Sequence, residues 1–444
     1  MTCHLWHRFY NLVFIPFLLV ATKIIWLFSP KLRSRHRILS KQKRSWQKQS
    51  IIKQGSMWFH AASMGELEQV KPLIRIMRQR YPTARIVVSV FSPSAYRQHS
   101  DIEINELLLL PYDTPSATRH LIEHIQPSLC IVSRYDLWWN LSYQLYEHGV
   151  PIVIVNATTP LQGSGLTFWR IMKRYYQCVY NRASLIIARD TVHASDLKKI
   201  LHIPLAKVRP LCDIRVDQVL YRLSSSKELF SFIDATKFRV VLGSTWKGDE
   251  VLWSNAWQML PPTLRQHFQL IIVPHEPTPK NCARILTLFP DATLLSRLDQ
   301  APDRKPQVVV VDKVGMLIPL YAQATAAYVG GGFDKGVHSV VEPALSGIPV
   351  AFGPRYIRND DAFELLTYFV QLYLTQIMAT RVTPLISNPE DAALWLRNLV
   401  ISSAPYHYAQ YYQSQLLTRQ WASYKAYQAI ETIVSSGTVH KLTE

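Results

Sequence analysis

The chain has 444 residues, too many for one ordinary hydrophobic core, and this length predicts two domains. Hydrophobic residues make up 48% of the chain and charged residues 18%, a balance that excludes an intrinsically disordered protein. The formal net charge of +18 predicts an acidic partner and leaves three classes open: nucleic acid, anionic lipid or a phosphorylated substrate.

An apolar stretch followed by a basic one comes first along the chain. Phe9 to Phe28 is apolar except for Asn11, Thr22 and Lys23, and the segment 31–48 then carries eight Lys or Arg and no acid. A secretory signal peptide would carry its charges before the apolar stretch and end in small residues. We therefore predict a membrane anchor, either a short spanning helix or a helix in the interface with its basic tail on anionic headgroups. The positive-inside tendency would keep the following domain cytoplasmic. A buried core helix is the alternative, and the adjoining apolar block argues against a nucleic-acid arm.

Beyond residue 56, apolar runs alternate with amphipathic segments, which is the pattern of a parallel sheet with crossover helices. In the first half of the chain, SATRHLIEHI and NLSYQLYEHG are predicted helices between such runs. The strand candidates of this half are 57–61, 84–91, 128–133, 151–157 and 184–189.

A polar stretch at 217–237 interrupts the pattern, which then resumes. We predict two doubly wound, Rossmann-like α/β domains that face each other across a cleft, with ligands at the carboxyl ends of the strands. The aromatic segment 406–434 is predicted as one long amphipathic helix, more suited to packing than to membrane contact. The strand candidates of the second half are 238–244, 268–274, 307–312, 326–332 and 348–353. The predicted divisions are 1–50 for the anchor and basic segment, 51–216 for the first domain, 217–237 for a linker, 238–405 for the second domain and 406–444 for C-terminal helices.

The five cysteines are widely separated and form no CxxC pair and no metal-type spacing. We therefore expect a reducing compartment, no disulfide framework, and small buried thiols rather than nucleophiles. The cysteines are Cys3, Cys130, Cys178, Cys212 and Cys282.

The most informative loop, YVGGGFDKGVHSVVEPALSGIPVAFGP, follows an apolar strand at 328–354. Its glycines at 330–332 permit a sharp turn and a close approach to a ligand. Ser339 is expected near the N-cap of the next helix, where free N–H groups and the helix dipole attract a phosphate or carboxylate. Glu342, one turn in, is either a ligand of ribose hydroxyls or an ordinary first-turn acid.

Other loops at strand ends supply further candidates. Ser244 lies in GSTWKGDE, His275 and Glu276 lie in VPHEPTP, and Gly315 lies in DKVGML. Arg215, in LCDIRVDQV, is either part of a salt bridge at the domain junction or a phosphate ligand.

The stretch HAASMGELEQV, at 60–70, permits two interpretations of one carboxylate. Ser63 and Glu66 have the spacing of a helix capping box, and local sequence alone favours that role. A position just after a strand also suits a carboxylate that acts in a cleft. In SRYDLWWN, Asp136 stands beside two Trp. The sequence contains no P-loop, HExxH, GxSxG or Cys/His metal set.

Together these loops resemble those of the 3-deoxy-D-manno-octulosonic acid (Kdo) transferases of lipopolysaccharide synthesis, which have the GT-B glycosyltransferase fold. The resemblance runs from the N-terminal anchor almost to the C-terminus. The matching motifs are HAASMGE, PYDTP, DLWWN, RVD, GSTWKGDE and GGGFDKGVHSVVEPA. The PHE and GGGFDKG forms look closest to those of Bacteroidetes-like bacteria.

The resemblance implies transfer of Kdo from CMP-Kdo to a lipid A precursor of the lipid IVA type. The protein would be anchored at the cytoplasmic face of the inner membrane, on anionic lipids. Glu66 would be the general base for the acceptor hydroxyl, with Asp136 as a supporting acid and Ser63 and Gly65 in the acceptor loop. No metal or other cofactor and no nucleic acid are implied. The implied ligands of CMP-Kdo are Arg215, Ser244, His275, Glu276, Val314, Gly315, Met316, Gly331, Gly332, Ser339, Val340, Val341 and Glu342.

Several positions depart from the commoner family pattern and concern individual donor contacts. Ser339 replaces an Asn, Trp246 a His, Met316 a Glu and Arg134 an acid, while His-Glu replaces Arg-His at 275–276. Two alternative functions remain: another GT-B nucleotide-sugar transferase of the cell envelope, and a non-catalytic, membrane-tethered basic scaffold with this fold. With the resemblance added, the base role is favoured for Glu66.

Overall fold

The structure is a computed structural model. It describes residues 3–46, 55–97, 101–134, 136–159, 166–211, 213–225, 230–298, 304–374 and 383–435. Lys48 of the basic segment, Cys212 and the segment 436–444 lie outside the described residues.

The chain begins with helices that include the predicted anchor. Helix α1 (Cys3–Phe9) continues through a π-helical turn into α2 (Ile15–Phe28), and α3 (Pro30–Trp46) carries the basic segment. The stretch Leu5–Phe28 is long and apolar enough to cross a membrane, and only 6% of its most apolar window is buried. Its first turns nevertheless join the protein core, because Trp6, Tyr10 and Ile15 are buried there.

The first unit is built on a seven-stranded parallel sheet. The strand order is β3-β2-β1-β4-β5-β6-β7, so the order reverses between β1 and β4. Its strands are β1 (Ser56–Ala61), β2 (Arg85–Val90), β3 (Glu106–Leu109), β4 (Pro127–Ser133), β5 (Ile152–Ala157), β6 (Leu185–Ala188) and β7 (Val208–Pro210). Its helices are α4 (Met64–Arg80), α5 (Pro115–Ile125), α6 (Trp139–Glu147), α7 (Leu166–Tyr180) and α8 (Thr191–Leu201), and α9 (Arg215–Ser225) starts in this unit and continues into the second.

The second unit is built on a six-stranded parallel sheet of order β10-β11-β9-β8-β12-β13, which reverses between β8 and β12. Its strands are β8 (Phe238–Thr245), β9 (Phe268–Pro274), β10 (Thr293–Leu294), β11 (Val308–Val310), β12 (Ala326–Val329) and β13 (Val350–Phe352). Its helices are α10 (Lys247–Met259), α11 (Pro262–Arg265), α12 (Pro279–Leu288), α13 (Leu295–Leu298), α14 (Leu317–Tyr321), α15 (Val341–Leu345), α16 (Asp360–Leu374), α17 (Pro389–Ile401) and α18 (Ala404–Leu417).

Each sheet is buried on both faces, which is why its strands read as near-continuous apolar runs. Along β1, Trp58 points into one hydrophobic cluster, and Met57 and Phe59 point into the cluster on the opposite face. The second sheet likewise divides its apolar residues between two clusters, with Leu242 on one side and Val241 on the other. Helices on both faces make each unit doubly wound, as predicted.

Every predicted strand overlaps an observed strand, but β3, β7 and β10 were not predicted. All of them are edge strands: β3 and β7 close the first sheet, and β10 closes the second. Edge strands are short and are covered on fewer sides, so they lack the apolar runs that mark central strands. β7 even contains Pro210, which only an edge position tolerates.

The domain boundaries differ from the prediction. One unit comprises Met1–Gln218 with Gln420–Glu444, and the other comprises Val219–Arg419. The N-terminal helices therefore belong to the first unit, and the predicted linker starts inside α9 rather than in a loop. The predicted single helix at 406–434 is also wrong, because the chain breaks at Trp421, which has a φ of +66°.

Packing explains why the C-terminal segment is divided. In α18, the hydroxyl of Tyr408 donates to the backbone oxygen of Leu365 in α16, at 2.6 Å, so this helix stays with the second unit. The last helix, α19 (Ala422–Ile433), buries Ala426 and Ile430 in the cluster beside α4 in the first unit. The aromatic residues of α18 pack within a domain, as predicted.

The cysteine prediction is wrong for one pair. Cys3 in α1 and Cys178 in α7 form a disulfide, although 175 positions separate them. The fold brings their Cα atoms to 6.0 Å, a normal distance for a disulfide, and no sequence spacing reveals such a contact. Cys130 and Cys282 are buried free thiols, as expected.

Candidate active site

The first cluster of candidate residues lies at the carboxyl edge of the first sheet, where the strand order reverses. Ser63 and Glu66 follow β1, and Asp136 follows β4. Strands β1 and β4 are neighbours in the sheet, and the strand order reverses between them. Open α/β sheets bind ligands in the crevice at this point, because the adjoining loops separate to opposite faces of the sheet. The fold thus brings both predicted carboxylates to the expected place.

Glu66 does form a capping box. Its backbone N–H donates to Ser63 Oγ at 3.3 Å, and the Ser63 N–H donates to Glu66 Oε2 at 3.1 Å. Gly65 lies between them, and a Cβ there would meet no atom within 4 Å. Packing therefore does not require glycine at this position, and the backbone of this first helical turn faces open space.

The Glu66 carboxyl is also placed for proton transfer. The residue is only 7% exposed, and burial raises the pKa of its carboxyl. The charge of Asp136 raises this pKa further, whereas Arg134, the Ser63 N–H and His60 act in the opposite direction. Capping uses one oxygen of Glu66 and leaves Oε1 for a ligand, so the capping role and a base role are compatible.

His60 was missed by the sequence interpretation, although it starts the quoted motif. It is fully buried in β1, and its Nδ1 lies 2.8 Å from Ser89 Oγ on β2. Its Nε2 has no hydrogen-bond partner among the described residues and lies 3.7 Å from Asp136 Oδ2, too far for a hydrogen bond. The sequence places this histidine one residue before the end of a central strand and directly before a candidate loop, and that position could have identified it as a candidate.

The second cluster lies in the second unit, at the reversal between β8 and β12. A cavity of about 290 Å³ opens there. It brings together four of the predicted donor ligands, namely Ser244, Gly315, Ser339 and Glu342. Arg222, Tyr321 and His338 also line it and were not predicted as ligands. Of these, His338 could have been predicted from the sequence, because it stands inside the glycine-rich loop.

An aromatic cluster flanks this cavity. The His275 ring stacks on His338, with centroids 4.3 Å apart, and on Trp246, with centroids 4.9 Å apart. Trp246 Nε1 donates to His338 Nε2 at 2.9 Å, and Lys335 Nζ lies 4.1 Å from the Trp246 ring centroid. Burial, followed by the neighbouring His275, lowers the pKa of His338 to about 4. His338 is therefore neutral at pH 7.

The glycine-rich loop serves packing more directly than ligand approach. A Cβ on Gly331 would lie 2.2 Å from the oxygen of Gly336, and one on Gly332 would lie 2.4 Å from Gly353 Cα. The N–H of Gly331 is already bonded to Asp249 Oδ2 at 2.8 Å. Gly331 and Gly332 do not line the cavity, and their predicted contact with a ligand stays a prediction.

Asp249 organises these loops from α10. It is fully buried and accepts hydrogen bonds from the N–H groups of Gly331 and Trp246 and from the Tyr328 hydroxyl, each at 2.8 Å. Its neighbour Glu250 accepts from Arg284 at 2.7 and 3.0 Å. The GDE sequence therefore holds together the loops that follow β8 and β12, through hydrogen bonds to both.

The helix behind the glycine-rich loop is shorter than expected and begins later. α15 starts at Val341, its N-cap is Val340, and it has only five residues, so Ser339 lies before the cap. The side chains of Val340 and Val341 are buried in the core. The structure does not bring five predicted ligands to the cavity lining: Glu276, Val314, Met316, Val340 and Val341.

Arg215 lies in the first unit, at the start of α9, and is part of an ion pair. Its Nε donates to Asp213 Oδ2 at 2.7 Å, and its backbone N–H donates to Asp213 Oδ1 at 3.0 Å. Burial acts to raise the pKa of Asp213, but the guanidinium groups of Arg215 and Arg189 outweigh it and hold that pKa below its usual range. Of the two predicted roles, the structure displays the salt bridge.

Known proteins resemble this chain over most of its length. The family model described as 3-deoxy-D-manno-octulosonic-acid transferase (kdotransferase) matches residues 31–218. A 3-deoxy-D-manno-octulosonic acid transferase of Haemophilus influenzae is 27% identical over 381 residues, which cover 82% of this chain and 85% of that protein. The enzyme of the same name from Chlamydophila psittaci is 25% identical over 386 residues, covering 83% and 84%. The family model and these relatives agree in placing the similarity of this chain with the Kdo transferases.

The solved structures support the fold. A UDP-GlcNAc 2-epimerase from Neisseria meningitidis superimposes with a TM-score of 0.58 at 13% identity, over 85% of this chain and all of that chain. At this identity the similarity concerns the fold alone. The two doubly wound units are those of the GT-B fold, and the protein is a glycosyltransferase, as expected of the Kdo transferase family.

Two of the motifs that resemble those of Kdo transferases are bonded to each other in the first unit. Asp113, from PYDTP, accepts hydrogen bonds from the N–H groups of Asn140 at 2.8 Å and Leu141 at 2.9 Å. These residues follow DLWW and lie in the first turn of α6, so Asp113 caps that helix from a distant part of the chain. These two hydrogen bonds fix the loop that carries Asp136.

Proposed function

We propose that this protein transfers Kdo from CMP-Kdo to a lipid A precursor, a glycolipid of the lipid IVA type, at the cytoplasmic face of the inner membrane. The observation that carries the proposal is Glu66. It is a buried carboxyl with a raised pKa, next to Gly65 at the strand-order reversal of the first sheet, in a chain similar to Kdo transferases over most of its length.

In this proposal Glu66 is the general base. Its carboxylate accepts the proton of an acceptor sugar hydroxyl, and the oxygen attacks the anomeric carbon of Kdo. The bond from that carbon to the phosphate oxygen of CMP-Kdo breaks, and CMP leaves with the bonding electrons. A raised pKa makes the ionised carboxylate a stronger base. Asp136 supports this through its effect on the pKa of Glu66.

The cavity in the second unit is the proposed CMP-Kdo site. Arg222 offers a positive charge for the phosphate, and Ser244 and Ser339 offer hydroxyls. Glu342 can accept hydrogen bonds from ribose hydroxyls, and the neutral His338 can donate one. His275, which stacks on His338, remains a proposed contact at the rim. The proposed roles of the other predicted ligands rest on the resemblance alone, and these are Arg215, Glu276, Val314, Met316, Gly331, Gly332, Val340 and Val341.

Charge and hydropathy support a membrane location. The net charge of +18 suits a phosphorylated glycolipid, an anionic donor and anionic lipids, and no nucleic-acid partner is proposed. The apolar helix that ends at Phe28 leads directly into the basic helix α3, the order that places positive charge at the cytoplasmic surface. No metal is proposed either; among the described residues, no three His, Cys, Asp or Glu side chains are grouped to hold one.

The direct test is product analysis. The purified full-length protein is incubated with CMP-Kdo and the tetra-acylated lipid A precursor in detergent, and the lipid is examined by mass spectrometry. We expect the mass of the precursor to increase by one or more Kdo units. Transfer only from a different nucleotide sugar would identify another GT-B transferase, and CMP binding without any transfer would favour a non-catalytic scaffold.

A further inference from the structure

A second cavity, of about 280 Å³, lies in the first unit and plays no part in the chemistry described so far. One side is formed by Leu18 and Thr22 of α2 and by Leu32 of α3. The opposite side is formed by Phe91 and Trp138, whose rings stack with centroids 6.1 Å apart. The surface of this cavity is almost entirely apolar, which excludes a nucleotide or a free sugar as its occupant.

The cavity lies at the same edge of the sheet as Glu66. Phe91 directly follows β2, and Trp138 lies in the loop after β4, just before α6. Strands β2 and β4 are the two neighbours of β1, and the loop after β1 carries Glu66. The cavity and the proposed base therefore lie at the same edge of the same sheet, in loops that follow neighbouring strands.

Arg35 forms a buried wall of the cavity. It is 3% exposed, its terminal nitrogens donate to the backbone oxygens of Phe91 and Leu110, and its guanidinium lies 3.8 Å from the Phe91 ring centroid. Its Nε has no hydrogen-bond acceptor among the described residues. Arg35 therefore fixes this wall through its bonds to the loops that follow β2 and β3.

The cavity is continuous with the surface of the candidate membrane helix. Leu18 and Thr22 line it, while Phe17, Val20 and Ile24 on the same helix are 57–72% exposed. The apolar lining therefore continues onto the exposed apolar surface of the candidate membrane helix. An acyl chain suits such a lining, because it has no polar group that would need a partner there.

We propose that this cavity holds one acyl chain of the glycolipid acceptor. The inference rests on the proposed function, because it names how the acceptor is held. The site selects acylated acceptors, and it positions the sugar hydroxyl by fixing the chain attached to the same sugar.

The test fills the cavity. Leu18→Trp places a larger side chain in it, and Phe17→Trp is the matched control, since Phe17 is 72% exposed on the same helix and does not line the cavity. Transfer is measured with the acylated precursor and with its fully deacylated, phosphorylated disaccharide. We expect Leu18→Trp to raise KM for the acylated precursor about tenfold or more, the loss that follows when two or three methylene groups stay in water. Phe17→Trp should leave the KM for both acceptors unchanged.

Equal effects of Leu18→Trp on both acceptors, or no difference from Phe17→Trp, would overturn the inference. A second measurement does not need turnover: a precursor with a diazirine in an acyl chain is photo-crosslinked to the full-length protein in vesicles. We expect labelling of peptides that contain Phe91 or Trp138, and its loss in Leu18→Trp. Absence of transfer by the wild-type protein would refute the proposed function alone, whereas absence of this labelling pattern would refute the acyl-chain site alone.

Discussion

The indole Nε1 of Trp246 donates a hydrogen bond of 2.9 Å to Nε2 of His338. An imidazole nitrogen that accepts a hydrogen bond carries no proton, so the neutral His338 ring has its hydrogen on Nδ1. Trp246 thereby fixes the tautomer of a residue that lines the proposed donor cavity. It stands where Kdo transferases more commonly have a histidine, so the departure from the family pattern has a defined structural consequence.

We predict that Trp246→Phe weakens donor binding. Phenylalanine keeps an aromatic ring beside His275 but removes the N–H that fixes His338. The loss of one hydrogen bond, on the order of 1 kcal/mol, corresponds to about a fivefold rise in the Kd of CMP. Titration calorimetry measures the Kd, and nitrogen NMR of the His338 ring reports the tautomer. Trp421→Phe is the control, because that side chain is 68% exposed and lies in the first unit; an equal effect of both variants would contradict the prediction.

Glu66→Gln should abolish transfer while leaving CMP binding intact. Glutamine retains an oxygen for the capping box, but it cannot accept the hydroxyl proton, so kcat should fall by about a hundredfold or more. The matched control is Asp391→Asn in α17, where Asn388 and Asp391 form a similar cap: the Asp391 N–H donates to Asn388 Oδ1 at 2.8 Å, and the Ser387 N–H donates to Asp391 Oδ2 at 2.9 Å.

The control separates capping from chemistry. Both variants should lower the free energy of unfolding by no more than about 1 kcal/mol, as measured by urea denaturation. Only Glu66→Gln should lose turnover. Full turnover by Glu66→Gln would mean that Glu66 is a capping residue alone.

The pH dependence of transfer should report the interaction of Asp136 with Glu66. A base acts in its ionised form, so kcat/KM falls as the pH falls through the pKa of Glu66. The negative charge of Asp136 contributes to the raised pKa of Glu66. Asp136→Asn removes this charge, so the acid limb of the pH profile should move to lower pH. A limb that stays in place, or moves to higher pH, would exclude this coupling.

The sequence predicted the parts of the site that depend on neighbours along the chain. Apolar runs identified the central strands, and the loops after β1, β4, β8 and β12 were identified because ligand-type residues follow those runs. Glu66 and Ser244 were found in this way. Whether Glu66 capped a helix or faced open space required the burial and the free volume beside Gly65, which local sequence does not contain.

Residues whose role depends on distant contacts were not found. His60 and Arg35 are ordinary residues in their local sequence, and they become notable through contacts with β2 and with the loop after it. The Cys3–Cys178 disulfide has the same cause. The glycines at 330–332 were recognised as a tight turn, but their close packing against Ser244, Gly336 and Gly353 could not be predicted from local sequence.

Asp113→Asn should destabilise the first unit. Asp113 is buried and accepts three hydrogen bonds, from the N–H groups of Asn140 and Leu141 and from the Tyr10 hydroxyl at 2.9 Å. An amide has only one accepting oxygen, so at least one donor loses its partner, at a cost of about 2 kcal/mol. Thermal unfolding should show a lower Tm, with Asp217→Asn as a comparison on the exposed cap of α19. An unchanged Tm would show that the bond between the two motifs contributes little.

Membrane attachment can be tested without removing the N-terminal helix. Deletion of residues 1–30 would also remove Trp6, Tyr10 and Ile15 from the core and would break the disulfide, so a loss of activity after deletion would not identify an anchor.

Three outward residues, Val20, Ile24 and Leu27, are 57–59% exposed in the structure. Replacing all three with Ser should leave the folded core unchanged and release the protein from vesicles in a flotation assay. Each Val, Ile or Leu favours the hydrocarbon by roughly 0.3–0.6 kcal/mol, so their loss weakens attachment only if the helix enters the hydrocarbon. If the triple variant still floats at low salt but is released at high salt, then the basic helix α3 provides the attachment by charge, because salt screens an electrostatic contact and leaves an apolar one intact.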